Sequence, residues 1–497
     1  MKPGPEETFD TLLEEVKVTE STAPRFLLQG KEVDLWSEAY RPYHSKTSAE
    51  YIRERVLQAQ KEGKDPFPDV VGKRAEKEMV KNALLSGSTL LFKGRKGYGK
   101  TTFSKSVARL LPEKIVAVRG CKIYDDPTRP SCFACKRKLL TQDAVEVAWV
   151  PRVWVRIPGD PQLTTRQLIG GISIQKIREG LDLDHPEVFV PGRALKANRG
   201  IGYYDELGSI PSSLQTLLHE LFEEGQVTTT EGDVIPFRID AVEIAATNPA
   251  NYRGTNPIKE PLLDRMEEIT IGPPETLAEE VEIGRRNMYL ARRGQDPKMP
   301  AWHMELLATA VRLARDREET DIARAIETEP SCRATIKLFD HVKSQALMNG
   351  REVPLLADYG PAFSAAKLAL GGRMELGYGS REPKEKVIER LVERAVDAVC
   401  KRVYEKLPED RFEKLMAELK SLAKEGQWSP ARETAAKLKG KPVLAALLKE
   451  MAEKVEEFYP SAAEMVAESV ARCNKTLERV DGSYRFVEGN GGSVTEE

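Results

Sequence analysis

The chain has 497 residues, of which 40% are hydrophobic and 31% charged, so it is expected to be a folded soluble protein of roughly two to four domains. Its 76 Lys and Arg against 78 Asp and Glu leave a formal net charge of −2, which removes any argument from overall charge for nucleic-acid binding. The six cysteines are too few for a disulfide scaffold, and there is neither an apolar run of about 18 residues nor a signal-peptide pattern, so a cytoplasmic location with no membrane span is expected.

Residues 1–65 read as a polar, irregular N-terminal extension with one helix around 49–60, stopped by Glu62-Gly63-Lys64. From Val70 short apolar runs alternate with helical periods, the pattern of a parallel α/β sheet. The predicted strands are 89–92, 115–118, 153–157, 201–204 and 242–246. Residues 66–272 therefore read as one α/β domain, closed by Pro273-Pro274. Residues 273–371 read as a helical lid: Leu306, Leu307, Ala310, Val311 and Ala314 share a face, as do Ile336, Phe339, Val342 and Ala346. Glycines at 371, 372, 377 and 379 mark a further boundary. Beyond it, 372–488 carries apolar stripes at Val387, Leu391, Ala395, Val399 and Val403, and at Leu444, Leu447, Leu448, Met451 and Val455. The tail 489–497 is expected to be disordered.

Gly94-Arg95-Lys96-Gly97-Tyr98-Gly99-Lys100-Thr101 fits G-x-x-x-x-G-K-[ST], and it lies between a predicted strand and a helical run. Its glycines let backbone N–H groups turn inward around phosphate oxygens. Lys100 would reach the β- and γ-phosphates, the Thr101 hydroxyl would ligate Mg²⁺, and the helix start adds a positive dipole end. The predicted nucleotide-binding residues are Gly94, Gly97, Gly99, Lys100, Thr101, Thr102 and Asp205. The plain alternative is a flexible glycine-rich turn.

Such a loop needs a carboxylate for the metal and a group that activates water. The run Ile201-Gly202-Tyr203-Tyr204-Asp205-Glu206 ends an apolar strand in two acids: Asp205 to hold Mg²⁺, together with Thr101, and Glu206 to orient or deprotonate water. Asn248, at the end of the strand 242–246, suits a group that holds the attacking water. Solvated acids at a strand end, and an asparagine that turns the chain before Pro249, are the simpler alternatives.

The ordered set of this loop, YYDE (203–206), AATNPANY (245–252), PLLDRM (261–266) and PSCRATIKL (330–338) resembles the AAA+ ATPases of the magnesium-chelatase ATPase subunit and MoxR-like clade. FPDVVG (67–72), LIGG (168–171), FVPG (189–192) and ALKANRG (194–200) extend the resemblance, which spans roughly 67–371. It implies an inserted element at 163–196 and a hairpin at 228–237 before the strand that carries Asn248. It also implies roles: Asn248 as sensor 1, Arg265 as an arginine finger on a neighbour's ATP, and Arg333 as sensor 2, so that Glu206, Asn248, Arg265 and Arg333 are the predicted catalytic residues. A finger in trans implies a homo-oligomeric ring, with a hexamer expected. The implied function is Mg-dependent ATP hydrolysis that remodels a partner, a von Willebrand A-domain protein being the natural one. The alternative is a nucleic-acid motor related to minichromosome-maintenance helicases. Residues 1–65 are short for a separate DNA-binding domain, and the acidic tip Glu231-Gly232-Asp233 opposes phosphate, so nucleic acid is not the expected partner.

Cys121, Cys132 and Cys135 form a group whose Cys132-x-x-Cys135 spacing suits one tetrahedral ion, zinc, or an iron–sulfur cluster. A fourth strong ligand is missing locally, with Asp125 or Asp126 as the substitutes, and reduced loop thiols are the alternative. Cys332, Cys400 and Cys473 read as helix-packing residues. Lys136-Arg137-Lys138, Arg285-Arg286 and Arg292-Arg293 read as solvated helix faces.

Overall fold

The computed structural model describes residues 16–44, 46–180, 188–225, 238–249, 257–318, 320–360 and 363–487. The hairpin expected at 228–237 and the tail 489–497 lie outside the described residues. The chain divides into two units, Met1–Gly272 and Pro273–Glu497.

The first unit holds two sheets. Strands β1 (Arg25–Leu28) and β2 (Lys31–Val33) form a hairpin, followed by helices α1 (Ser48–Lys61) and α2 (Arg74–Ser86). α1 starts on a capping box in which the Thr47 hydroxyl accepts from the Glu50 amide and the Glu50 carboxylate accepts from the Thr47 amide. β3 (Thr89–Lys93) leads through the glycine-rich loop into α3 (Lys100–Ala108). Next come β4 (Lys114–Val118), α4 (Phe133–Thr141), β5 (Ala144–Pro151) and β6 (Val153–Pro158). β7 (Gly170–Ile172) and β8 (Phe189–Pro191) pair antiparallel within the expected insertion. β9 (Gly200–Asp205), α5 (Ser212–Glu224), β10 (Ala241–Thr247) and β11 (Met266–Thr270) complete the unit.

The central sheet has the order β11-β3-β10-β9-β6, and every neighbouring pair in it is parallel. Its middle strands are apolar because helices cover both faces, which leaves no polar side to alternate with. Leu90, Phe92, Phe103, Val107, Ile201 and Ile244 build one face of the core, and Leu91, Ile157, Tyr204, Leu207, Leu218 and Ala245 the other.

Two sequence expectations change. The strand 115–118 exists but belongs to a second sheet of order β2-β1-β5-β4, where β4 pairs antiparallel with β5. A short apolar run does not encode its partner. The N-terminal segment is not irregular throughout: β1 lies parallel to β5 and donates Phe26 to a core shared with Val116, Val118, Val145 and Val147. β11, which the sequence did not mark as a strand, closes one side of the central sheet as an edge strand, with Met266 and Ile269 buried and Glu267 and Glu268 exposed.

In the second unit, helices α6 (Leu277–Asn287), α7 (Ala301–Leu313), α8 (Cys332–Met348), α9 (Lys384–Tyr404) and α10 (Tyr459–Cys473) bury Leu306, Phe339, Leu391, Val396 and Met465 in one cluster. Leu415, Leu419, Trp428, Leu444 and Tyr484 form another. Two side chains depart from their expected packing: Cys473 and Val455 are exposed, one at the last turn of its helix and the other just past a helix end. Among the described residues no helix is long and apolar enough to cross a membrane.

Candidate functional site

In a parallel α/β sheet the carboxyl ends of the strands meet the amino ends of the helices, so polar groups collect there. β3 ends at Lys93 and the chain turns through Gly94 to Gly99 into α3. Gly99 caps α3 in the left-handed region at φ 96°, which L side chains rarely adopt. A Cβ on Gly94 would collide with the carbonyl oxygen of Ile271, so the loop needs glycine at its first position for a different reason. The amide of Gly94 also donates to the Thr247 carbonyl at 3.2 Å, which ties the loop to the end of β10.

Lys100 is buried with its ammonium turned into the loop. Its Nζ donates to the carbonyls of Gly94 and Arg95, the latter at 3.1 Å, and to Asn248 Oδ1 at 3.3 Å. Asn248 is itself buried at the end of β10. Thr101 Oγ1 lies 3.1 Å from the Tyr203 hydroxyl, and that hydroxyl donates to Asp205 Oδ1 at 3.3 Å. Burial pushes the Tyr203 phenol well above its usual range, so it stays a proton donor. The remaining oxygen of Asp205 accepts from Arg156 Nε at 2.9 Å and from Arg156 Nη2. Glu206 follows with a left-handed backbone, φ 58°, uncommon for a residue with a side chain, and its carboxylate pairs with Lys96 Nζ at 3.0 Å. Gly97 lies inside the same loop and Thr102 is exposed in the first turn of α3.

The loop, Lys100, Thr101, Asp205, Glu206 and Asn248 are thus brought together at the carboxyl ends of the three interior strands β3, β10 and β9. Arg265 is not. It precedes β11, whose Met266 registers with Thr89 at the start of β3, whereas the loop follows the end of β3. At about 3.3 Å per residue the separation along the strands is roughly 20 Å. Arg265 Nε pairs instead with Glu223 at 2.6 Å, and its Nη1 donates to the Pro261 carbonyl at 2.7 Å. Arg333 belongs to the second unit, exposed in the first turn of α8, where a positive charge opposes the helix dipole.

The sequence reading missed Arg156, Tyr203 and Lys96 as partners of the acids. Arg156 registers with Tyr203 across β6 and β9, a relation that only strand order reveals.

The cysteine group is assembled as well. Sγ of Cys121, Cys132 and Cys135 and a carboxylate oxygen of Asp125 all lie within 4.8 Å of one another. Burial, then the neighbouring Cys121 sulfur, push the Asp125 carboxyl up to about 7. Among the basic segments, Arg285 and Arg286 both pair with Glu282, as a solvated helix face would.

No protein-family model matches the chain. It is 28% identical over 232 residues to the magnesium-chelatase 38 kDa subunit of Acidiphilium rubrum, covering 44% of this chain and 62% of that protein. It is 30% identical over 190 residues to the magnesium-chelatase subunit ChlI homolog of Methanocaldococcus jannaschii, covering 37% and 49%. The chain thus spans less than two thirds of the length of either relative. Among solved structures, the complex of BchI and BchD of magnesium chelatase overlaps it at 22% identity and a TM-score of 0.34, over 66% of this chain and 98% of the other. That overlap is too low to add to the sequence relationship. By that relationship and by its parallel P-loop sheet, the chain is a relative of the magnesium-chelatase ChlI/38 kDa subunits with an AAA+ α/β fold.

Proposed function

We propose that the chain binds and hydrolyses ATP with Mg²⁺ and uses the cycle to remodel a partner protein, as the motor of a chelatase-like or MoxR-like complex. The observation that carries this reading is the linked set at the carboxyl ends of the interior strands: Lys100 to Asn248, and Thr101 through Tyr203 to Asp205. The donors fit the ion, because Mg²⁺ prefers oxygen ligands and keeps several waters. Thr101 Oγ1 and Asp205 would hold it, the latter through water. Bound there, Mg²⁺ neutralises charge that develops on the β- and γ-phosphates.

The chain's own groups supply the rest. The backbone amides of the loop cradle phosphate, and Lys100 exchanges its carbonyl partners for phosphate oxygens. Glu206 takes a proton from water, or orients it, and Asn248 holds that water in line. Arg265 acts on the nucleotide of a neighbouring copy, which requires a ring, with a hexamer the expected size. Arg333 acts as the second sensor. A partner with a von Willebrand A-type domain would receive the motion, and a cytoplasmic setting suits all of these parts.

The test is nucleotide binding and phosphate release by the full chain. Lys100→Ala should lose binding, whereas Glu206→Gln should keep it and lose turnover by about a hundredfold or more. Unchanged turnover in Glu206→Gln removes the assigned base. Stimulation by DNA, with none by a von Willebrand A-domain partner, would move the reading to a nucleic-acid motor.

A further inference from the structure

We propose that Cys121, Asp125, Cys132 and Cys135 bind one tetrahedral zinc ion that ties the N-terminal sheet to the P-loop sheet. The inference does not rest on the ATPase reading.

The donors come from three local structures. Cys121 follows the turn after β4, where its amide donates to the Val118 carbonyl at 3.1 Å. Cys132 is the residue before α4, and the Cys135 amide donates to the Cys132 carbonyl at 3.1 Å, so both sulfurs lie on the first turn of that helix. Asp125 lies in the loop between them.

The spacing fits a single ion. Donors about 2.3 Å from a tetrahedral centre lie about 3.8 Å from one another. Cys121 Sγ and Cys132 Sγ are 3.8 Å apart, and all four donors fall within 4.8 Å. An iron–sulfur cluster holds its cysteines around several metal atoms rather than around one point, so it suits this close group poorly. Three sulfurs and one carboxylate are ligands zinc accepts, whereas Mg²⁺ and Ca²⁺ take oxygen alone.

The surroundings are those of a ligand set. Asp125 is fully buried, and its carboxylate accepts from neutral donors, the Cys132 amide at 2.8 Å and Asn198 Nδ2 at 3.4 Å. A buried carboxylate is costly without a cation, and the nearby Arg199 pairs with Asp126 instead, at 3.4 Å. The Asp125 amide donates to Cys121 Sγ at 3.4 Å, the kind of outer contact that orients a metal ligand. Binding would displace the thiol protons and leave three thiolates and one carboxylate on the ion.

The position explains the purpose. Cys121 and Cys132 pack against both the core of the N-terminal sheet and one face of the P-loop sheet's core. Asn198, which holds Asp125, also accepts from the Asp240 amide just before β10 and donates to the Ile123 carbonyl at 3.0 Å. It precedes β9, so the ion would lie at the opposite strand end from Asp205, roughly 20 Å away by strand length. Such an ion is structural.

Metal analysis of the full chain, purified without chelator, tests this directly. About one zinc per chain should survive dialysis and be lost in the Cys132→Ser/Cys135→Ser double variant. Cobalt reconstitution should give thiolate charge-transfer and tetrahedral d–d bands. Asp125→Cys provides a second arm that does not depend on the double variant folding: four thiolates should retain zinc against a chelator concentration that strips the wild type. A folded wild-type chain with less than about a tenth of a zinc and no cobalt spectrum overturns the proposal. So does iron with acid-labile sulfide, or a Cys121–Cys132 disulfide in the chain as isolated. None of these readouts depends on nucleotide hydrolysis.

Discussion

Arg156 and Asp205 form an ion pair across the adjacent parallel strands β6 and β9, with Nε 2.9 Å from Oδ2. The other oxygen of the same carboxylate accepts from Tyr203, whose hydroxyl also meets Thr101. Asp205 therefore has one oxygen turned toward the loop and one turned toward a cation. Arg156 is exposed and Asp205 largely buried, so solvent screens the pair on one side.

If Asp205 holds Mg²⁺, Arg156 weakens its negative potential without being needed to aim it, because Tyr203 fixes the inner oxygen. Arg156→Ala should therefore lower the half-saturating Mg²⁺ for hydrolysis by about threefold, consistent with the ~0.2–1 kcal/mol of an exposed pair. Mg²⁺ titration of the steady-state rate reads this out. A raised Mg²⁺ requirement would show instead that Arg156 positions the carboxylate.

The same site shows what the sequence made legible. The loop, Asp205-Glu206 and Asn248 could be read because each is a local event, a polar group at the end of an apolar run. Arg156 could not, since its partner depends on β6 lying beside β9, and strand order is a property of the whole sheet. For the same reason the strand at 115–118 was recognisable while its sheet was not. β5 is hard to read although its first residues alternate between buried and exposed, because only Arg152 separates it from β6 and the two strands run together as one apolar stretch. Asp125 was visible as a substitute ligand, but only the folded loop brings its carboxylate to the three sulfurs.

Arg265 lies at the far end of β11 from its own phosphate loop, with its guanidinium engaged by Glu223. A role at the nucleotide can therefore be played only on a neighbouring copy. Arg265→Ala should retain ATP binding and lose turnover by roughly a thousandfold, the low end for an arginine finger. Mixed with Lys100→Ala, it should regain part of the activity, since one variant supplies an intact loop and the other an intact finger. Absence of recovery at every mixing ratio would rule out action in trans.

Glu243 is fully buried in β10, and burial raises its carboxyl to about 8 from 4.5. The folded chain holds this proton where the unfolded chain releases it. Its contribution to stability is therefore complete below pH 4.5 and is lost as pH rises through about 8. Glu243→Gln keeps the shape without the titration. Between pH 5 and pH 8 it should remove on the order of 3 kcal/mol of the wild type's loss of stability, measured by urea unfolding with a reporter in the first unit. Equal pH slopes in the two proteins would show that Glu243 is ionised when folded.

His303 makes the opposite case in the second unit. Its ring is fully buried on α7: Nε2 lies 2.8 Å from the Pro354 carbonyl, which can only accept, so Nε2 carries the proton. Nδ1 then accepts from the Tyr359 hydroxyl at 2.9 Å. Burial holds the imidazole down to about 3 from 6.5, so the folded chain keeps it neutral while the unfolded chain protonates. The contribution to stability is present above pH 6.5 and is lost as pH falls toward 3. Between pH 7 and pH 5 this amounts to about 2 kcal/mol. His303→Gln presents an amide donor and acceptor in place of the ring and does not titrate. It should be less stable at pH 7 yet lose about 2 kcal/mol less on acidification, read as hydrogen-exchange protection of peptides across α7 after correction for intrinsic rates. If α7 loses the same protection in both proteins, acid opens the bundle through another group, and His303 serves only as a packed, hydrogen-bonded ring.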